Sequence, residues 1–160
     1  MTFKTADLYD LYADDLSIVT PGFLSFGAHQ TFHGAIATVK VHEDNVLVKQ
    51  QLSEPGDKRV LVVDGGGSMR CALMGDMLAQ LAITNDWAGV IIYGCIRDSA
   101  DIEQMPIGVK ALGTHPAKSV KRGAGICDQP VTFCGVCFRP GDHVYCDADG
   151  IVVAPTKLQA

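Results

Sequence analysis

Hydrophobic and polar positions along this chain follow two rhythms. Two continuous apolar runs, within Arg59–Asp64 and Val90–Tyr93, show no polar face, and Val109–Leu112 reads as another strand. Runs of this length between turn residues predict strands buried on both sides, the pattern of a parallel sheet. Between the first two, Leu78, Leu81 and Ala82 recur at helical spacing up to Asn85, which predicts a helix with Asp76 at or near its N-cap. Met69–Met74 fits strand or helix, and the tight turns at Gly65–Gly67 and Gly75 on either side favour a strand.

Upstream, Thr5 reads as a capping residue ahead of Leu8, Leu11 and Tyr12, predicting a short helix on the outside of the sheet. Phe26 and then Phe32–Val39 suggest strands with a bend at Gly34. Val46–Leu52 predicts a short helix closed by the turn Pro55-Gly56-Asp57. Asp101-Ile102-Glu103 reads as one helical turn before Pro106, and His115-Pro116 as a loop. The last third predicts strands at Val131–Phe138, His143–Cys146 and Ile151–Ala154, joined by Arg139–Asp142 and Asp147–Gly150 turns.

A length of 160 residues with no linker, repeat or low-complexity tract predicts one domain, 1–160, able to bury roughly 70% of its unfolded surface. The 17 glycines suit many short strands and tight turns better than a helical bundle. A net charge of −5 argues against broad nucleic-acid binding, and Lys118, Lys121 and Arg122 read as a solvated basic loop. The acidic N-terminus lacks the apolar core of a signal peptide and no run reaches membrane-spanning length, so a cytoplasmic protein is expected.

Some candidate chemistry dissolves on inspection. The six cysteines include one Cys134-Gly-Val-Cys137 pair, whose members would face opposite sides of a strand and lack zinc-ligand partners. His29, His33 and His42 read as surface or strand-edge residues, and Asp147 and Asp149 as turn residues without the spaced ligands of a calcium loop. Gly65–Gly67 fails the dinucleotide fingerprint, because Arg70 stands where the third glycine belongs, and it is no P-loop. Lys110 is the one candidate for a Schiff base, with strand-edge exposure as the plainer reading.

What remains is the stretch from Gly75 to Asp101. A helix starting at Asp76 leaves first-turn amides without partners, and Gly75 allows close approach to them, so Gly75, Asp76, Met77 and Leu78 could bind a carboxylate through the main chain. Arg97 offers a planar fork for a carboxylate or oxyanion, and Asp98 a hard oxygen for a divalent ion such as Mg²⁺. Asp101, three residues on, could hold a metal-bound water from the same side of a helical turn. A surface Arg-Asp pair, a capping Asp76 and a solvated Asp101 would explain the same spacing.

Asp76, twenty intervening residues, Arg97-Asp98, two more and Asp101 resemble the D-x20-R-D-x2-E/D signature of the RraA-like class II aldolases. That family includes 4-hydroxy-4-methyl-2-oxoglutarate aldolases and regulators of ribonuclease E activity. VVDGGGSMRCAL, VIIYGCIRD, GVCFRPGDHVYCDADGIVV and LYDLYADD look similar too, so the likeness covers nearly the whole chain. It implies an α/β fold of the swivelling β/β/α type, with layered sheets and flanking helices, in a ring-shaped homotrimer or dimer of trimers. It further implies substrate binding by Gly75–Leu78 and Arg97, a metal at Asp98, and catalytic roles for Arg97, Asp76 and Asp101. The implied reaction is Mg²⁺-dependent cleavage of 4-hydroxy-4-methyl-2-oxoglutarate to two pyruvates, with oxaloacetate decarboxylation as a side activity. The base would be a water positioned by Asp76 or Asp101. Longer aldolases take an acid from a neighbouring subunit's C-terminal extension; this sequence ends at Ala160, and Asp101 is expected to take that place. The alternative is a non-enzymatic inhibitor of ribonuclease E; the archetypal regulator lacks the Arg-Asp pair, and because this chain keeps it the resemblance favours the aldolase.

Overall fold

The apolar runs form the middle of a ten-stranded mixed sheet in a computed structural model that describes residues 2–159. The described strands are β1 (Ser17–Ile18), β2 (Leu24–Phe26), β3 (Phe32–Lys40), β4 (Val60–Asp64), β5 (Ala72–Met74), β6 (Gly89–Ile96), β7 (Gly108–Thr114), β8 (Ile126–Cys127), β9 (Val131–Phe133), β10 (Val136–Phe138), β11 (His143–Cys146) and β12 (Ile151–Ala154). The α-helices among the described residues are α1 (Thr5–Tyr12), α2 (Val46–Leu52), α3 (Asp76–Thr84) and α4 (Ser99–Ile102). The sheet order is β1-β12-β11-β3-β4-β6-β7-β2, with β5 on β6 and β8 on β3, while β9 and β10 pair apart. The centre, β3-β4-β6-β7, is parallel, and the flanking β11 and β2 run antiparallel to it. The α/β architecture expected from the sequence is the one observed.

Alternation along the central strands explains why their sequences are apolar throughout. Leu61, Val63, Val90 and Ile92 face the helices with Val48, Leu52, Ala79 and Ala82. Val60, Val62 and Ile91 face the other way, against Phe133, Phe138, Val144 and Val153. Each strand thus feeds two cores, and a polar residue on either side would lose its water. A third cluster, Phe3, Leu8, Tyr145, Val152 and Leu158, lies under α1.

Several local expectations are corrected. Thr5 does not cap α1: Lys4 occupies the N-cap, and the backbone N–H and hydroxyl of Thr5 donate to the two carboxylate oxygens of Asp147, each at 2.7 Å. Leu11 lies off the buried stripe and is exposed, whereas Leu8 is buried. β3 runs unbroken through Gly34, where a Cβ would strike the Lys58 carbonyl, so this glycine permits a close approach and not a bend. Only Ala72–Met74 of the Met69–Met74 run is strand.

Val131–Phe138 is a hairpin and not one strand: Phe133 pairs with Val136 across Cys134 and Gly135, both at positive φ (48° and 79°). Two successive positive φ values match the right-handed twist of flanking strands. Lys110 is buried, its ammonium donating to Ser25 Oγ (2.7 Å) and the Asp147 carbonyl (2.6 Å), and burial lowers its pKa. It is a clip between β7 and the β11–β12 turn. Nor is His33 a free edge residue: its Nδ1 lies 2.9 Å from Nε2 of the buried His143. His29 and His42 are exposed, as expected.

Candidate functional site

Strands β5 and β6 end side by side, and the site grows from that junction. The Arg97 N–H donates to the Met74 carbonyl at 2.9 Å, which sets Arg97 next to Gly75 on one rim of the sheet. Asp98 then takes a left-handed conformation, φ 58° and ψ 37°, as the N-cap of α4. Aspartate is among the few side chains that tolerate this region. The turn swings the Asp98 carboxylate back over the start of α3, where Oδ2 accepts the Asp76 N–H at 3.1 Å.

Gly75 is needed for that approach. Its φ of −120° is open to any residue, but a Cβ there would lie 2.5 Å from Asp98 Oδ2 and 3.4 Å from Arg97 Cγ. The group that closes on the glycine is therefore the Asp98 carboxylate of the chain itself. Of the amides expected to bind an anion, that of Asp76 is already occupied. Those of Met77 and Leu78 have no acceptor recorded among the described residues and remain available at the positive end of the α3 dipole.

These residues line a cavity of about 330 Å³ with Asn45, Lys49, Ala72, Met74, Leu81, Lys118 and Lys121. Gly75, Asp76, Met77, Leu78, Arg97 and Asp98 are thus brought together as the sequence predicts. Asp101 is not among the lining residues; it faces an adjoining depression with Asp76, Met77, Gln80, Gln104 and Met105. The reason is the left-handed turn at Asp98. The three-residue spacing puts two side chains on one side only where both are helical, and here the first lies outside the helix.

Lys118 and Lys121, read from sequence as solvated loop, are on the cavity wall, and Arg122 is not. The segment is placed by pairing that no local pattern announces: the Ala72 N–H donates to the Ala117 carbonyl at 2.8 Å, and Lys118 bridges Ala72 in parallel. Asn45 and Lys49, at the start and in the middle of the α2 segment, complete the wall. Their only sequence signal was that Lys49 falls in the short helix predicted over Val46–Leu52. Arg97, Lys49, Lys118 and Lys121 set four cations against the carboxylates of Asp76 and Asp98. In a chain of net charge −5 this local excess attracts anions.

Among the described residues no group of three or more His, Cys, Asp or Glu side chains is arranged to hold a metal ion. The donor set therefore excludes an all-protein cage. It does fit Mg²⁺, which binds through one or two carboxylates and fills its remaining positions with water and ligand oxygens. Asp98 has one oxygen committed to Asp76 N–H and the other unpartnered, and Asp76 lies beside it on the same wall.

A family model described as RraA-like, Aldolase/RraA, matches residues 5–153. A protein of Laribacter hongkongensis provisionally named 4-hydroxy-4-methyl-2-oxoglutarate aldolase is 58% identical over 158 residues, 99% of each chain. A similarly named protein of Alkalilimnicola ehrlichii is 56% identical over 158 residues, 99% of this chain and 98% of that one. Among solved structures, the RNA-processing inhibitor RraA from Thermus thermophilis superposes with a TM-score of 0.96 at 41% identity, covering 100% of this chain and 97% of that one. A Geobacillus kaustophilus structure described as an S-adenosylmethionine:2-dimethylmenaquinone methyltransferase superposes with a TM-score of 0.94 at 55% identity, covering 98% and 97%.

Proposed function

The chain belongs to the RraA-like family, and we propose that within it this protein is a divalent-metal-dependent aldolase that cleaves 4-hydroxy-4-methyl-2-oxoglutarate to two pyruvates. The observation that carries the proposal is the junction of Gly75, Arg97 and Asp98. An arginine fork, free helix amides and one unpartnered carboxylate oxygen converge on a single cavity with an excess of positive charge.

In this reading the Met77 and Leu78 amides and Arg97 hold the carboxylate next to the 2-oxo group. Asp98 would hold Mg²⁺, which when bound supplies Lewis-acid polarisation of the 2-oxo group. Asp76, whose side chain has no hydrogen-bond partner among the described residues and which lies on the same wall, accepts the C4 hydroxyl proton through a water. The C4–O bond becomes a carbonyl as the C3–C4 electron pair moves into the C2–C3 bond, releasing pyruvate and leaving a pyruvate enolate. Arg97 stabilises the enolate oxygen, and the proton held by Asp76 returns to C3 to give the second pyruvate. Loss of carbon dioxide from oxaloacetate generates the same enolate, so that acid is the expected side substrate.

The proposal extends to a homotrimer, supported by apolar groups exposed beside the cavity, Met77 at 82% and Val120 at 48%. It also extends to a cytoplasmic setting. All six cysteines are unpaired, which suits a reducing compartment, and no helix among the described residues is long and apolar enough to cross a membrane. Ribonuclease E regulation is the second reading, favoured by the likeness to the Thermus inhibitor. Pyruvate release from oxaloacetate, measured with Mg²⁺ and with EDTA for wild type and Arg97→Ala, tests the assignment. The aldolase reading expects activity that EDTA abolishes and the substitution lowers about 100-fold or more. Activity indifferent to either would overturn it, and ribonuclease E binding without turnover would support the second reading.

A further inference from the structure

A second cavity, of about 690 Å³, opens at the other rim of the sheet, where the central strands begin. His33 of β3, Lys58 ahead of β4, Trp87 and Ala88 ahead of β6 and Pro106 ahead of β7 line it. It shares no lining residue with the Gly75 cavity.

Its polar wall is the histidine pair. Across β3 and β11 the register sets Tyr145 opposite His33 and Ala35 opposite His143, so the two histidines lie two positions apart on one face. His143 is 8% exposed, and its Nε2 lies 2.9 Å from His33 Nδ1. Two neutral imidazoles own two N–H groups and two lone pairs, and their shared bond consumes one of each. One N–H and one lone pair are left, on His33 Nε2 and His143 Nδ1 in one order or the other. Neither nitrogen has a protein partner among the described residues.

Lys157 brings charge to this wall. Burial lowers the pKa of both rings and Lys157 lowers both further, with no carboxylate acting on either, so both are neutral at pH 7.5. Asp57 and Asp86 also line the cavity. Lys58 pairs with Asp86 at 2.5 Å, whereas Lys157 has no carboxylate partner among the described residues.

We propose that this cavity is a second binding site, which takes a small oxyanion that still carries a proton, hydrogen phosphate being the type, held by Lys157 and the His33–His143 pair. The anion's oxygens accept from the ammonium and the free N–H, and its P–OH donates to the free lone pair. Sulfate has the same shape and charge but no proton, so it sets an oxygen lone pair against the imidazole lone pair. A phosphate monoester, with its second pKa at about 6, has lost its proton at pH 7.5 and fails in the same way. The proposal stands apart from the aldolase reading.

Trp87 is the single tryptophan of the chain, is 5% exposed and lines this cavity alone, so its emission reports on this site and not on the Gly75 cavity. Inorganic phosphate, methyl phosphate and sulfate are titrated at pH 7.5 and constant ionic strength, read by Trp87 emission and by the ring ¹⁵N shifts of His33 and His143. Phosphate is expected to saturate both signals at about 10-fold lower concentration than the other two, the penalty of one unmade hydrogen bond. Lys157→Ala, at an exposed position, should weaken phosphate about 10-fold. His33→Phe should cancel the preference for phosphate over sulfate, and Arg97→Ala should leave every titration within about 2-fold of wild type. Sulfate or methyl phosphate bound as tightly as phosphate overturns the proposal. So does phosphate binding that ignores Lys157→Ala or is lost with Arg97→Ala, and so do emission and ring shifts that no anion moves.

Discussion

Acidification will weaken this fold through its histidine pair well before its carboxylates protonate. His143 in β11 is 8% exposed, and its Nε2 shares one hydrogen bond with Nδ1 of His33, so one ring donates and the other accepts. His33 stacks on Tyr145 at 5.5 Å and meets the edge of Phe3 at 5.6 Å, which leaves little room for either ring to rotate away. Burial, then the charge that His33 would carry, then Lys157, push the His143 pKa down from 6.5 to about 4. Burial and Lys157 lower that of His33 as well. The unfolded chain takes up a proton as pH falls through 6.5, whereas the folded chain declines it until about 4. More protons on the unfolded state mean that stability rises with pH, so the contribution is complete above pH 6.5, falls steadily below it, and levels off under pH 4.

At about 1.4 kcal/mol for each pH unit of that window, His143 alone accounts for roughly 3 kcal/mol. Set against a net stability of about 5–15 kcal/mol, this is a large fraction. For a chain of this size it corresponds to a Tm lower by about 6–12 °C. The assay is calorimetric melting at one protein concentration between pH 4.5 and 7.5, for wild type and His143→Gln. Glutamine can keep a hydrogen bond to His33 and cannot titrate, so its melting curve should flatten by most of that difference. Identical pH slopes for the two proteins, or a wild type more stable at pH 5 than at pH 7.5, would refute the reasoning.

Two further outcomes follow from the site geometry. Gly75→Ala should drive the Asp98 carboxylate off the start of α3, because the new Cβ would lie 2.5 Å from its Oδ2; Mg²⁺ affinity should fall about 10-fold or more, read by metal titration, as for loss of a group that orients a ligand. Asp101→Asn should change kcat/KM for oxaloacetate by less than about 3-fold, since Asp101 lies outside the cavity that holds Arg97 and Asp98; a fall of about 100-fold would return Asp101 to the reaction.

The legible parts of the chain were those whose cause is local. The central strands carry apolar residues on both faces because each face meets its own core, and that shows in the sequence as an unbroken run. The Gly75 turn and the helix behind it were legible for the same reason, and so was the placement of Arg97 on the same rim. Cys134 and Gly135 were missed because cysteine at positive φ gives no turn signal; the hairpin stands on the pairing of Phe133 with Val136. Asp101 lies off the wall that carries Asp98 because the left-handed backbone of Asp98 breaks the helical spacing between them. Lys110 looked like an edge residue and is buried, because its acceptors come from Ser25 and Asp147, far away in sequence.

The lysine wall shows most plainly where sequence reading stops. Lys118 and Lys121 carry the same charges in a solvated loop or in an anion site, and nothing in their neighbours separates the two. What separates them is a parallel bridge from Lys118 to Ala72, together with the hold of Asp44 and Asn45 on the same loop. Those contacts carry cations to the carboxyl ends of β5 and β6, the side of an open parallel sheet on which ligands gather. Overall charge was therefore a poor guide to binding in this protein. A chain with a net charge of −5 keeps four cations around one cavity of about 330 Å³, and three of them are lysines without a carboxylate partner among the described residues. All three lysines are solvent-exposed, so water serves their ammonium groups at little cost to the fold. Exposed and gathered on one wall, they are open to an anionic ligand opposite the turn at Gly75 and Arg97.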